Sequence, residues 1–70
     1  MKRYKIVGKI LLSFIMRNEQ HDFLFDDGTI EYDGKNTIWF VDDENKKLES
    51  ITTANIIDIA LRKGDIVEIN

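Results

Sequence analysis

The chain has 70 residues, no cysteine, no proline and a formal net charge of −3. Residues 1–70 are therefore expected to form a single domain, and a domain of this size buries only about 60% of its unfolded surface. The lack of cysteine excludes a disulfide framework and a thiolate metal site. We expect close packing or a homodimer to supply the stability.

Charge is unevenly distributed along the chain. Residues 1–17 hold five basic side chains and no acid, whereas residues 18–45 hold nine acids and one lysine. The two regions should present surfaces of opposite sign. The basic and apolar start lacks a small-residue cleavage site, and no stretch reaches the about 20 apolar residues of a membrane span. We expect a cytoplasmic protein that contacts no membrane.

The first predicted element is a long strand over about Tyr4 to Met16. Alternate apolar side chains share one face of it; they are Tyr4, Ile6, Ile10, Leu12, Phe14 and Met16. Gly8 inside a strand indicates a bulge or a sharp bend, so the strand is expected to serve two sheets or to close a small barrel. A buried helix over Ile6 to Arg17 fits a similar pattern and remains an alternative.

A hairpin is predicted next, after a polar turn over residues 17–22. The dipeptide Asp27-Gly28 separates two short apolar runs, and this dipeptide is typical of tight hairpin turns because these need φ > 0. If Asp27 and Gly28 form the tip of the hairpin, Phe25 lies opposite Ile30 and Phe23 lies opposite Tyr32. The runs are therefore predicted to pair with each other.

Thr37 to Val41 reads Thr-Ile-Trp-Phe-Val, and all five residue types have high strand propensity. Because both faces are apolar, we predict that this is the central strand, covered on both sides, with Trp39 in the core. A turn over Asp33 to Asn36 precedes it. A charged loop over residues 42–47 and a short strand, Leu48 to Ile51, follow it.

A helix is predicted from about Thr53 to Lys63. Thr52 or Thr53 is the expected N-cap, since its hydroxyl can bond a free amide of the first turn. Gly64 suits the left-handed C-terminal cap. The apolar stripe at helical spacing is Ile56, Ile57, Ala60 and Leu61. A final strand over Asp65 to Ile69 completes the chain.

These elements predict an α+β fold. The expected architecture is a small, strongly bent antiparallel sheet or partly open barrel of about five strands, packed by one C-terminal helix. The segment Lys63 to Ile69 is similar to the closing strands of SH3-like barrels, but its seven residues form a common turn–strand pattern.

The residues that could carry chemistry argue against an enzyme. His21 is the only histidine, and Ser13 lies in an apolar run without a strained turn, so no nucleophile and base are indicated. Calcium loops space their ligands around a glycine, unlike the adjacent Asp42, Asp43 and Glu44. The scattered glycines form no phosphate-binding loop. We predict no catalytic residue, no metal and no cofactor.

Two surfaces remain as binding candidates. The first is an acidic face for an unknown, basic protein partner, formed by Asp26, Asp27, Glu31, Asp33, Asp42, Asp43 and Glu44. The alternative is nucleic-acid or nucleotide binding through the basic stripe Arg3, Lys5 and Lys9, with Trp39 as a stacking platform. A pI near 5 disfavours a polyanion.

We expect a small non-enzymatic module that acts through protein–protein contact. Residue types with AT-rich codons outnumber Gly, Ala, Arg and Pro in the chain. This composition suggests an accessory or host-modulating protein of a phage or mobile element.

Overall fold

The computed structural model describes residues 1–69 as seven β-strands and one α-helix. In chain order they are β1 (Lys2–Ile6), β2 (Ile10–Met16), β3 (Glu19–Phe25), β4 (Thr29–Tyr32), β5 (Ile38–Val41), β6 (Lys47–Ser50), α1 (Asn55–Lys63) and β7 (Ile66–Ile69). All strand pairs are antiparallel. Five strands form a sheet in the order β6-β5-β4-β1-β7, and β2 pairs with β3 in a second sheet. The α+β prediction is confirmed, but there are two sheets, and the strands of residues 1–69 close no barrel.

The first predicted strand is divided at Gly8 into β1 and β2, which belong to different sheets. The amides of Val7 and Gly8 both donate to the carbonyl of Asp65, each at 2.9 Å. A Cβ atom at Gly8 would collide with Asp65. Glycine is therefore needed because two backbones approach closely, and the bend is confirmed. The alternative helix is wrong.

The hairpin predicted around Asp27-Gly28 is wrong. Phe23 and Phe25 pair with β2 rather than with β4. Both edges of β4 are already occupied, by β1 and by β5. Of Asp27 and Gly28, only Gly28 has positive φ, whereas the favoured two-residue hairpin turn needs positive φ at both central residues. The dipeptide instead connects the two sheets.

The turn that makes the observed hairpin lies earlier in the chain. Arg17 and Asn18 have φ of 52° and 65°, the pair of positive values that a type I′ turn requires. Because β3 begins directly afterwards, Glu19 to Asp22 belong to a strand. The predicted polar turn over residues 17–22 is therefore correct only at its first two positions.

The strand predicted to be central is second from one edge. β6 pairs with β5 on the outside, so β4 takes the middle of the five-stranded sheet. Ile38 and Val41 are buried, but Trp39 and Phe40 are half-buried. Trp39 thus lies outside the core, which corrects its predicted position. The turn before this strand and the short strand after it are confirmed.

The helix is confirmed, but its predicted N-cap is wrong. Ala54 occupies the N-cap position without a side-chain bond to the helix. The Thr52 hydroxyl is used elsewhere, because it accepts a bond of 2.8 Å from the amide of Ser13. Gly64 has φ of 78° and caps the C-terminus as predicted. Of the predicted stripe, Leu61 is exposed.

The core lies between the five-stranded sheet, the β2–β3 hairpin and the helix. We call the sheet face that points to this core the inner face and the opposite one the outer face. The buried cluster comprises Tyr4, Ile6, Ile10, Leu12, Phe14, Ile30, Ile38, Ile57, Ala60 and Ile66. Burial raises the pKa of the Tyr4 hydroxyl, with a smaller contribution from the charge of Glu68.

Candidate functional site

The predicted acidic residues do not form one face. Asp33 lies in the β4–β5 turn, at the end of the sheet where Tyr32 pairs with Ile38. Two other groups lie at the opposite end, because Thr29 and Lys47 both flank Val41 there. These two groups are Asp26 with Asp27 before β4, and Asp42, Asp43 and Glu44 after β5.

Glu31 is separated from all of these acids, on the outer face of β4. It is only 9% exposed and bonds two bases, Arg3 at 3.5 Å and Lys47 at 2.6 Å. Lys47 reaches it from β6, where it is the register partner of Val41. The carboxylate of Glu31 therefore holds the outer face together and is not available to a partner.

Two of the acids hold the turns in which they lie. One carboxylate oxygen of Asp33 accepts the backbone amides of Lys35, Asn36 and Thr37 at 2.8–3.1 Å. These hydrogen bonds lower the pKa of Asp33. Asp42 accepts the amides of two residues in the β5–β6 turn in the same manner. Both positions follow ordinary turn chemistry.

Three residues of the alternative nucleic-acid site come together on the outer face. In the strand register Trp39 lies opposite Glu31, which lies opposite Arg3, and residues directly opposite each other share a face. Lys5 is two residues from Arg3 on the same face. Lys9 lies apart, in the connection between the two sheets.

The bases of this outer face are matched by acids. Lys5 is 3.5 Å from Asp27, and Glu31 binds Arg3 as described above. Trp39 is consequently flanked by paired charges. The face offers one half-buried aromatic ring in a surface with little excess positive charge.

A more apolar site lies at the acidic end of the sheet, between the β2–β3 hairpin and the β5–β6 turn. We call it the aromatic groove, and its apolar lining is Met16, Phe23, Phe25, Phe40 and Leu48. Its volume is about 470 Å³, within the usual range for ligand sites of about 300–1,000 Å³. Asp42, Lys46 and Lys47 complete its rim.

Stacked rings form the floor of the aromatic groove. The rings of Phe25 and Phe40 lie 4.0 Å apart and are nearly parallel, at 17°. Phe23 and Leu48 flank them, and each is 40% exposed. The ring of Phe40 packs closely on the backbone at Gly28, because a Cβ atom built there would lie 2.7 Å from the ring.

The charge around the aromatic groove is predominantly negative. Both lysines on the rim are bonded to acids, Lys46 to Glu44 at 3.4 Å and Lys47 to Glu31. Asp42 and Asp43 add negative charge at the turn, and Asp26 directly follows Phe25 in the chain. The groove thus combines apolar walls with an acidic border.

The outer face of the β2–β3 hairpin is a second exposed apolar surface. Leu11, Ile15 and Leu24 are each more than half exposed there. Between them, Asp22 accepts hydrogen bonds from Ser13 at 2.7 Å and Gln20 at 3.1 Å. These bonds lower the pKa of Asp22. Leu11 and Leu24 also line a groove of about 490 Å³ against the helix.

His21 and Ser13 form no nucleophile–base arrangement. The His21 ring stacks on Phe23 at 6.3 Å and lies 3.7 Å from a Glu19 carboxylate oxygen. Ser13 instead donates to Asp22. Among residues 1–69, no three His, Cys, Asp or Glu side chains are grouped in a way that could hold a metal ion.

No helix in the described part of the chain is long and apolar enough to cross a membrane. A comparison with protein-family models found no match, and neither did comparisons with curated proteins and with solved structures. The candidate site therefore rests on the geometry of this chain alone.

Sequence reasoning missed the aromatic groove because its residues come from separate predicted elements. The sequence predicts that Phe23 and Phe25 pair with the strand that follows Gly28, and that Phe40 lies in a strand covered on both sides. The available signal was that the strands of Phe25 and Phe40 each end directly before two adjacent aspartates. Only the packing of the hairpin against β5 and β6 brings them together.

Proposed function

We propose that this chain is a small non-enzymatic binding module that acts through protein–protein contact. In this proposal the aromatic groove receives apolar side chains from a basic segment of the partner. The observation that supports it best is the stacked and partly exposed aromatic cluster, bordered by acids whose neighbouring lysines are already paired.

The apolar lining suits an anchored contact. Interfaces concentrate binding energy in a few aromatic or large apolar groups that fill desolvated pockets. Phe25 and Phe40 form a rigid floor, while Phe23 and Leu48 are exposed enough to gain from being covered. Covering them removes apolar surface from water, which favours association.

The acids define the chemistry of the partner. Complementary charge increases association rates and discriminates against wrong partners. Asp26, Asp42 and Asp43 would therefore favour a segment that carries lysine or arginine beside its apolar anchors. This retains the basic partner inferred from the acidic middle of the chain, but it restricts the relevant acids to one end of the sheet.

The biological setting is part of the proposal. The composition typical of AT-rich coding supports an accessory or host-modulating protein of a phage or mobile element. The absence of cysteine is compatible with a cytoplasmic location.

Nucleic-acid or nucleotide binding on the outer face is the second candidate. It is supported by the common face of Arg3, Lys5 and Trp39. The pairing of these bases with Glu31 and Asp27 reduces the charge available for phosphates. If this candidate is correct, oligonucleotide binding should weaken steeply with salt and be lost when Arg3 and Lys5 are changed to Ala.

The first experiment is selection of peptides from a random library on the immobilised protein. Selected peptides should combine aromatic or aliphatic residues with neighbouring lysine or arginine. Affinity for a synthetic copy should fall about tenfold in Leu48→Ser, as expected for loss of about 1.4 kcal/mol at an anchor. Asp43→Lys should reduce affinity several-fold through charge repulsion.

Two matched variants serve as controls. Leu24→Ser removes an even more exposed leucine, at 62%, from the outer face of the hairpin. Glu68→Lys reverses an exposed charge on β7, away from the groove. Both should retain the affinity of the parent protein. Peptides that bind Leu48→Ser as well as the parent, or that lose binding in Leu24→Ser, would contradict the assignment.

A further inference from the structure

The outer edge of β6 runs beside the aromatic groove, and its backbone direction can be established from two hydrogen bonds. In an antiparallel strand, the amide and carbonyl of one residue point to the same side, and successive residues alternate. The Lys46 carbonyl accepts from Asp42, so it points toward β5; the Ile51 amide donates to Ser13, so it points toward β2.

By this alternation, Lys47 and Glu49 direct their amides and carbonyls away from β5. Within residues 1–69, β6 pairs with no strand other than β5. The hydrogen bonds from β2 to this edge lie at its far end, where Ser13 bonds Ser50, Ile51 and Thr52. In the described part of the chain, no backbone hydrogen bond joins β2 to Lys47 or Glu49. Lys47 lines the groove, and Glu49 is the next residue of β6 whose backbone groups point to the same side.

We infer that the partner segment binds as an extended strand along β6, which makes the five-stranded sheet six-stranded. This inference rests on the proposed function and specifies its partner: a strand of alternating residues, apolar on one face and basic on the other. Its backbone pairs with Lys47 and Glu49, and its apolar side chains enter the aromatic groove.

The side-chain directions agree with this arrangement. Leu48 lies on the inner face with Phe40, its cross-strand partner, so alternate side chains of an added strand would point into the groove beside them. The intervening side chains would lie on the outer face next to Glu49, which is exposed. A lysine or arginine there makes a favourable cross-strand pair.

Strand addition combines backbone pairing with side-chain pockets, and this combination is an established mode of peptide recognition. The free edge of β3 is the competing site for such a strand. It lies beside exposed Asp22 and Leu24 on the hairpin, and the experiment separates the two edges.

The test uses a blocked hexapeptide of sequence Lys-Val-Lys-Phe-Lys-Val and two N-methylated versions. One version carries methyl groups on the three lysine amides and the other on the three apolar amides. Because alternate amides of a strand point to opposite edges, only one set can pair with β6. One version should lose at least about tenfold in affinity, and the other should stay close to the parent peptide.

Amide hydrogen exchange of the labelled protein locates the paired edge. Binding of the parent hexapeptide should slow exchange at Lys47 and Glu49. Slowed exchange at Gln20, Asp22 and Leu24 instead would assign the strand to β3 and overturn the inference. Equal affinity of the two methylated peptides would also overturn it.

The two proposals fail in different ways. If the affinity of the hexapeptide falls in Leu48→Ser but does not depend on which amides are methylated, strand addition is wrong and the groove remains a binding site. If the hexapeptide fails to bind, or binds Leu48→Ser equally well, both the strand and the groove are contradicted. Strand addition is confirmed only if the affinity falls both in Leu48→Ser and on methylation of one of the two sets of peptide amides.

Discussion

Substituting Gly28 by alanine should destabilise the protein and disorder the aromatic groove at the same time. Gly28 has φ of 115°, a backbone conformation that residues with a side chain rarely adopt. A new Cβ atom would also lie 2.7 and 2.9 Å from two atoms of the Phe40 ring. The strained backbone of the alanine variant alone costs about 1–3 kcal/mol of unfolding free energy, and overpacking against Phe40 adds about 1–3 kcal/mol. A chain of this size has a total stability of roughly 4–10 kcal/mol.

Gly34→Ala provides a matched control for the backbone term. Gly34 also has positive φ, at 82°, but no atom lies within 4 Å of a Cβ built there. Urea unfolding followed by Trp39 fluorescence should show that Gly28→Ala costs about 2 kcal/mol more than Gly34→Ala, the overpacking term. Equal losses in the two variants would refute the argument that Gly28 is required by contact with Phe40.

Three further predictions concern the core, an ion pair and acid stability. Phe14→Ala should cost about 3–5 kcal/mol in urea unfolding, because the ring is fully buried; a loss below 1 kcal/mol would contradict its central place. A double-mutant cycle between Glu31 and Lys47 should give a coupling of about 1 kcal/mol that shrinks in 1 M salt, whereas zero coupling at low salt would contradict the pair. The pKa values of Asp33 and Asp22 are lowered in the folded protein, so their stabilisation is present above the unfolded value near 4 and is lost as pH falls through the folded values. Asp33→Asn should therefore flatten the acid side of a plot of unfolding free energy against pH. An unchanged slope would contradict a contribution of the hydrogen bonds to Asp33 to the stability.

The parts of the fold that sequence reasoning predicted are those signalled by a single residue type. Asp33 marks a turn and Gly64 marks the end of the helix through their own hydrogen-bonding and conformational properties. Gly8 also marks the bend between β1 and β2, although the cause there is the close approach of the distant Asp65 backbone. In all three cases the residue type indicates the feature without knowledge of its partners.

The failed predictions depended on partners distant in sequence. The Asp27-Gly28 signal was local, but pairing was decided by the competition of β1 and β5 for the edges of β4. Likewise, Thr52 would suit an N-cap, yet its hydroxyl is bonded to Ser13, which is 39 residues away. The β2–β3 turn at Arg17 lacks the glycine that usually reveals such turns.

The candidate site was only partly predictable for the same reason. The acids of the turns were identified from sequence, but Glu31 could not be recognised as buried without the strand register that brings Arg3 beside it. The aromatic groove requires the packing of Phe23 against the region of Leu48, two elements that are far apart in the chain. Non-local packing thus converts ordinary strand residues into a concave site.

The most direct test of the central claim is an NMR titration of the ¹⁵N-labelled protein with the hexapeptide, followed by a separate titration with a short single-stranded oligonucleotide. The aromatic groove predicts that the peptide shifts the amide signals of Phe23, Phe40 and Leu48, and that the oligonucleotide leaves them unchanged. Shifts caused by the oligonucleotide and concentrated at Arg3 and Trp39, with no response to the peptide, would contradict the claim and assign binding to the outer face.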